Sequence, residues 1–343
     1  MRLSDYDYEL PPPKIAQAPV EPRDSARLLI DQGRSNGRSR IDHRRVFDLP
    51  NFLRSGDLLV VNDTRVIPGR LRLQRSTGGQ VELLLLDPLS EDSRRWSALV
   101  KPGGRLKPGE ILRHPDSANE CIFHGRIKPG DTFEIELCFD DDALSFLGRI
   151  GEIPLPPYIT ESLDQVDRYQ TVYSRRPASA AAPTAGLHFT PELLTRIEAQ
   201  GVDFARVELV VGLDTFQPIQ VEDPLDHKMH TEFYSVGEEV MEKVQQARRV
   251  IAVGTTAVRA LESAAARSEL SGRTDLFIHR GFDWQCVDLM MTNFHLPKTT
   301  LLLMIDAFVG DRWRDIYATA LENDYRFLSL GDAMLLDRHA EES

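Results

Sequence analysis

The rhythm of apolar and polar positions changes along the chain. From Gly56, "GDLLVVNDTRVIPGRLRLQR" opens on an unbroken apolar run and then alternates, which predicts a fully buried strand, a polar break and a half-buried strand. The β mode continues through "QVELLLLDPL", "RWSALVKPGGRLKPGEIL", "CIFHGRI" and "TFEIELCF", short runs separated by Gly, Pro and Asp. Strands at such short spacing predict a small antiparallel barrel or sandwich, placed at residues 69–150.

After "IPLPPYI" strand and helix patterns alternate. "FARVELVVGL", "VIAVG", "TDLFIHRGF" and "CVDLMMTNF" read as strands. "EEVMEKVQQARR", "TTAVRALESAAARS" and "TTLLLMIDAFVGDRWRDIYATALEN" read as helices, the last a single long one. This alternation predicts an α/β architecture. The run "DLLVVND" is of the fully buried kind and is assigned to the same sheet. Residues 1–68 and 151–343 then form a discontinuous α/β catalytic domain, and the β-barrel is an insertion in it. The basic stretch Arg34–Arg45, "RSNGRSRIDHRR", reads as a solvated loop.

Composition narrows the function. A 343-residue chain with 41% hydrophobic residues is long and apolar enough for a globular core. No apolar run approaches the roughly 20 residues of a membrane helix, and the N-terminus lacks a signal-peptide layout, so the expected setting is the cytoplasm, with no membrane partner. Three cysteines without a CxxC pair fit a reduced compartment and make a thiolate zinc site improbable. A net charge of −12 argues against a protein that simply coats nucleic acid. The positive charge is concentrated early, since residues 1–76 hold 14 Lys and Arg against 10 Asp and Glu.

Chemistry-bearing residues cluster at element ends. In "VIAVGTTAVRALE" a strand runs through Gly254 into a helix that starts with Thr255 and Thr256, with Arg259 one turn in. Free N–H groups at such an end favour an anion or a ligand oxygen, although Thr255 as a simple cap is equally compatible with the spacing. It is neither a dinucleotide fingerprint nor a Walker loop. Asn62, Asp63, Thr64 and Arg65 end the buried strand, and Asp214 and Thr215 end another, where ligands of open α/β sheets gather. An Asp turn with Arg65 paired to it is the bland alternative. "HKMHTEF" offers His227, His230 and Glu232, but the flanking Pro224 and β-prone residues speak against a helical metal site, and no metal is expected. "TNFHLPKTT" sets His295 and Lys298 around a turn before the longest helix. In "PTAGLHFTPELLTRIEAQG", Thr190, Pro191 and Gly201 read as cap, first turn and exit of a helix. His188 is explained by none of these.

Taken together, "YDYELPPPKIAQAP", "GDLLVVNDTRVIPGRL", "DRYQTVYSRRPASAAAPTAGLHFT", "VGTTAVRALES", "TNFHLPKTTLLLMIDAF" and "YRFLSLGDAML" resemble the S-adenosylmethionine:tRNA ribosyltransferase-isomerase family of queuosine biosynthesis. The resemblance runs from Leu3 to about Leu335. It implies a larger α/β domain with an inserted antiparallel β-barrel. It implies a transferase that moves the ribosyl moiety of S-adenosylmethionine to 7-aminomethyl-7-deazaguanine at the tRNA wobble position, giving epoxyqueuosine-tRNA, adenine and methionine. S-adenosylmethionine is then a consumed co-substrate, no cofactor is needed, and the partner is a tRNA anticodon loop.

On that reading His188, with the most suitable ordinary pKa, is the expected proton-exchanging group, and Asp63 and Asp214 are expected catalytic partners for the sulfonium or its proton. A histidine that merely packs beneath its turn is the rival account of His188. Asn62, Arg65, Phe189, Thr215, Phe216, Thr255, Thr256 and Arg259 are the expected substrate-binding residues, with the helix end holding the methionine carboxylate or ribose hydroxyls. Arg175, Arg176 and Lys298 are expected at tRNA phosphates, a task Arg65 could share. One departure stands out: the family's usual "LHVG-x-GTF" reads "LVVGLDTF" here, with Val210 in place of histidine and Asp214 in place of glycine. It keeps open a catalytically silent tRNA-binding paralogue. A plain α/β enzyme of nucleotide metabolism is the third reading.

Overall fold

A computed structural model of the chain describes residues 1–35, 38–127, 132–161, 163, 165–212, 218–229 and 231–340. Asp214, Thr215, Phe216 and His230, all singled out from the sequence, lie outside the described residues. The chain divides into two compact units, one of residues 1–65, 156–176 and 182–343, the other of residues 66–155 and 177–181.

The smaller unit is built on a closed six-stranded antiparallel barrel. Its strands run in the order Arg70–Arg75, Gln80–Pro88, Arg95–Lys101, Phe133–Cys138, Glu120–Arg126 and Glu110–Arg113, and the last pairs back onto the first. Closure leaves no free edge among these six. Period-two alternation turns Leu71, Leu73, Val81, Leu83, Ile135 and Leu137 inward, and Phe146 and Leu147 of the helix Ala143–Ile150 join that core.

The larger unit carries a nine-stranded mixed sheet. At its centre lie Asp57–Asn62, Arg249–Val253 and Leu289–Asn293, all parallel. Asp203–Leu209 continues the parallel set beside Asp57–Asn62, then Glu232–Val236 and Ser271–Thr274 follow antiparallel. On the other side Ala333–Asp337 runs antiparallel to Leu289–Asn293 and parallel to Arg27–Ser35. All six residues of Asp57–Asn62 are buried, as the unbroken apolar run requires of a central strand covered on both faces.

Three sequence expectations change. The basic stretch is not a solvated loop: Arg27–Ser35 and Arg38–Arg45 pair as an antiparallel hairpin whose second strand forms a sheet edge. Charged residues at an edge strand deter pairing with other chains, which explains why its pattern reads as solvated. The long C-terminal helix is two, Thr300–Val309 and Arg312–Glu322, because Gly310 takes φ +61° between them. The strand expected at "TDLFIHRGF" lies earlier, at Ser271–Thr274. The helix expected after His188 is present at Pro191–Glu198, with the Thr190 hydroxyl accepting from Leu193 N–H at 3.1 Å.

The helix Thr255–Arg267 is tied, from its middle, to the loop that leads into the strand Leu289–Asn293. Glu262, fully buried, accepts from the backbone N–H groups of Gln285, Cys286 and Val287 at 2.9, 3.0 and 2.9 Å. Truncation orphans those donors, so Glu262→Ala is expected to lower stability by about 3 kcal/mol or more in urea unfolding, since each unsatisfied buried group costs about 1–3 kcal/mol. An unchanged midpoint would show that water replaces the carboxylate.

Candidate functional site

Two parallel strands, Arg249–Val253 and Leu289–Asn293, end side by side, and the carboxyl ends of both open into one cleft of about 590 Å³ including its mouth. Gly254 follows the first strand at φ +86°, and its N–H donates to the Met291 carbonyl at 2.7 Å. That turn points the start of the helix Thr255–Arg267 at the cleft, so Thr255 and Thr256 line it. The Thr256 hydroxyl is buried and has no hydrogen-bond partner among the described residues. An unsatisfied hydroxyl beside free helical N–H groups is poised for a ligand oxygen.

Thr292, Asn293 and His295 come from the second strand end, and Thr184 and Ala185 from the short 3-10 turn Thr184–His188. Apolar side chains complete the wall, among them Val211, Leu296, Leu301 and Leu328. Tyr158 and Ser329 close it with a hydroxyl pair at 2.7 Å. The turn Thr184–His188 passes close to Tyr173: a Cβ on Gly186 would stand 1.9 Å from the Tyr173 hydroxyl, so only glycine fits.

His188 does not line this cleft. It bounds a neighbouring hollow with Arg23, Arg168 and Gly331. It reaches the cleft through Asn293, whose Nδ2 donates to His188 Nε2 at 3.3 Å and to the Asp332 carbonyl at 3.3 Å, while Asn293 Oδ1 accepts from the Thr184 hydroxyl at 2.9 Å. Burial, with the Arg326 and Arg168 guanidinium groups adding to it, pushes the His188 imidazole down to about 4 from 6.5. Burial also pushes His295 down to about 3. The His295 Nε2 lies 3.2 Å from the Thr292 hydroxyl, its N–H donates to the Tyr317 hydroxyl at 3.0 Å, and its carbonyl accepts from Tyr8. Both imidazoles are therefore neutral at neutral pH.

The other sequence candidates are distributed around the larger unit. Asn62 is fully buried and clamps backbone, donating to the Leu209 carbonyl at 2.9 Å and accepting from Thr64 and Leu209 N–H at 3.2 and 3.3 Å. Asp63 is half-buried; burial raises its carboxyl, and the Arg206 and Arg175 guanidinium groups oppose that shift. Phe189 is a core residue, edge-on to Tyr173, not a cleft wall. Arg259 is buried in an ion pair with Glu232, and burial lowers it to about 10; its Nε and Nη2 have no partner among the described residues. That pair employs Glu232, one of the three side chains of "HKMHTEF". Arg65 and Arg175 are exposed, and Arg176 is exposed but paired with Glu208 at 2.6 Å. Lys298 pairs with Asp7 at 2.6 Å, between the cleft residues Leu296 and Thr299. Val210 is half-buried, and its N–H donates to the Phe233 carbonyl at 2.9 Å.

Of the sequence candidates, the cleft gathers Thr255 and Thr256 directly and His188 at one remove. It adds Thr184, Thr292 and Asn293, which sequence reasoning passed over, and His295, which it singled out without giving it a site role. For Thr292, Asn293 and His295 the signal was the polar cluster "TNFH" closing a buried strand; Thr184 carried none.

A cleft at parallel strand ends, with a helix start, one neutral imidazole and several hydroxyls in its wall, is the ligand site expected of an α/β enzyme. The family described as queuosine biosynthesis protein matches residues 3–336. The chain is similar to the S-adenosylmethionine:tRNA ribosyltransferase-isomerase of Symbiobacterium thermophilum, 48% identical over 346 residues that cover 98% of this chain and 100% of that one. The Thermotoga maritima protein of the same name is 45% identical over 345 residues, with the same coverage. A crystal structure of S-adenosylmethionine tRNA ribosyltransferase from Thermotoga maritima is similar at a TM-score of 0.54 and 36% identity, covering 96% of this chain and 99% of that one. The chain belongs to the S-adenosylmethionine:tRNA ribosyltransferase-isomerase family of queuosine biosynthesis, and it is a transferase.

The two depressed histidines set a pH dependence of stability. Their folded pKa values lie below the unfolded value, so the unfolded chain takes up the extra protons as pH falls. Their contribution to stability is complete above about pH 7 and is lost progressively from about 6.5 down through about 4 for His188 and about 3 for His295, with each histidine contributing up to about 1.4 kcal/mol per pH unit. Urea unfolding at stepped pH is expected to show this slope, and His188→Gln to show a shallower one. A variant slope equal to that of the parent would contradict the burial argument.

Proposed function

We propose that this transferase moves the ribosyl moiety of S-adenosylmethionine onto the amine of 7-aminomethyl-7-deazaguanine at the wobble position of tRNA, yielding epoxyqueuosine-tRNA, adenine and methionine. The observation that carries the reading is the unpartnered Thr256 hydroxyl at the helix start of an otherwise largely apolar cleft. The nucleoside has apolar rings and oxygen-rich edges, and both find counterparts there. Thr255, Thr256 and the free N–H groups of the helix start take ribose hydroxyls or the methionine carboxylate. Arg259, paired with Glu232 behind that helix start, adds positive potential at reduced net charge.

The reaction asks for three proton events. The sulfonium acidifies the hydrogens on ribose C5′, and a base must remove one; adenine must be protonated to leave; the tRNA amine must be neutral to attack. Neutral imidazoles suit this setting, because an imidazolium in the cleft would repel the sulfonium before any chemistry. Among the described cleft residues His295 is the imidazole that faces the substrate space. Asp63 and Asp214 remain proposed partners for the sulfonium or its proton. The sulfonium is itself the activated group, so S-adenosylmethionine serves as consumed co-substrate and the proposal invokes neither a metal nor a resident cofactor.

Lys298, between the cleft residues Leu296 and Thr299 in sequence and paired with the half-exposed Asp7, is proposed to exchange that partner for an RNA phosphate. Arg65, Arg175 and Arg176 are further proposed phosphate contacts. The wobble base of an anticodon loop is reached at low cost, since it leaves the stack more easily than a paired base. No helix among the described residues is long and apolar enough to cross a membrane.

Adenine release is expected only when S-adenosylmethionine and the precursor tRNA are both present. Thr256→Val is expected to raise the KM for S-adenosylmethionine about 5–30-fold, the value of a hydrogen bond of about 1–2 kcal/mol, with a smaller effect on kcat. Turnover of a small molecule without tRNA, or an unchanged KM in the variant, would refute the reading.

A further inference from the structure

We propose that Asn293 contacts the transferred ribosyl group through its carboxamide oxygen, and that His188 is a positioning residue that fixes this carboxamide as a hydrogen-bond acceptor and carries no proton. This rests on the reading given above and assigns roles within it.

Asn293 ends its strand only 3% exposed, yet it lines the cleft. Both hydrogens of its Nδ2 are spent inward, one on His188 Nε2 and one on the Asp332 carbonyl. The Asp332 carbonyl can only accept, so it fixes which amide atom is nitrogen. The oxygen receives the Thr184 hydroxyl and keeps its second lone pair. Asn293 therefore offers the cleft an acceptor and no donor. Its fitting partner is an O–H or N–H group and not an anion, and the hydroxyls of the ribosyl group meet that requirement.

The orientation depends on His188 Nε2 being bare. A proton there would set two donors face to face, and the carboxamide would have to turn, orphaning the Asp332 carbonyl and presenting N–H to the substrate. The charged groups around the imidazole are the guanidinium groups of Arg23, Arg168 and Arg326, all of which disfavour a second proton, while a hydrogen bond with the Arg23 backbone acts the other way. His188 also bounds the neighbouring hollow and not the cleft. A glutamine at 188 can supply the same acceptor, but it cannot exchange protons.

The test uses the full chain, S-adenosylmethionine and the precursor tRNA, with adenine release as the readout. If the parent releases no adenine, the functional reading fails before the variants are considered. With an active parent, His188→Ala is expected to lower kcat about 100-fold, the cost of a misplaced contact, with the KM for S-adenosylmethionine changed less than about threefold. His188→Gln is expected to recover kcat to within about tenfold of the parent, with a pH–rate profile of the same shape between about pH 6 and 8. A folded glutamine variant as inactive as the alanine one, or one that has lost a limb of the profile, overturns the proposal. Should both variants fail to fold, 15N NMR of the parent decides: a bare Nε2 on His188 at neutral pH supports the inference, and a protonated Nε2 ends it.

Discussion

The site depends on the register of three parallel strands. Val253 stands opposite Val61 on one side and Met291 on the other, so the chain leaves the sheet at Gly254 level with Thr292. The bond from Gly254 N–H to the Met291 carbonyl holds that exit, and the positive φ turns it into a helix within one residue. Gly254, at φ +86° and ψ 152°, occupies a backbone region essentially confined to glycine, so a side chain there would cost about 1–3 kcal/mol. Its Cβ would stand 3.6 Å from both Ala185 Cβ and the Thr256 hydroxyl, ordinary contact distances, so the constraint at this point is the backbone angle and not space. Thr256, Asn293 and the turn Thr184–His188 inherit their positions from this arrangement.

The electrostatics of the cleft follow from burial. A sulfonium loses its charge during the proposed reaction, so a carboxylate partner such as Asp63 or Asp214 serves the chemistry by taking up the proton and not by holding the cation tightly. The described lining instead consists of hydroxyls, a carboxamide, a neutral imidazole and apolar groups. Asp332, the carboxylate next to the Asn293 network, is occupied with the N–H groups of Arg27 and Arg326. Among the described residues, no carboxylate of this net −12 chain stands in the pocket's immediate wall.

The sequence was most legible where one local pattern carried the structure. Alternation exposed the barrel, the unbroken run exposed the central strand, and strand–Gly–Thr–Thr exposed the helix start. It misled where tertiary position overrode local chemistry. The arginine-rich hairpin Arg27–Arg45 reads as solvated because an edge strand needs charge, and the continuous pattern from Thr300 to Glu322 hides the break at Gly310. In the site, His188 stood out as unexplained, but its partner Asn293 lies 105 residues away, and no spacing rule joins them. Asn62 and Phe189 looked like ligand groups because they end a strand and follow a turn. The fold uses one as a clamp between strands and the other as core.

The most direct measurement is a crystal structure of the chain with S-adenosylmethionine bound. The account predicts ligand oxygens within hydrogen-bond distance of the Thr256 hydroxyl and the helix-start N–H groups, with a ribose hydroxyl donating to Asn293 Oδ1. A ligand seated elsewhere, with the Thr256 hydroxyl still unpartnered, would contradict it.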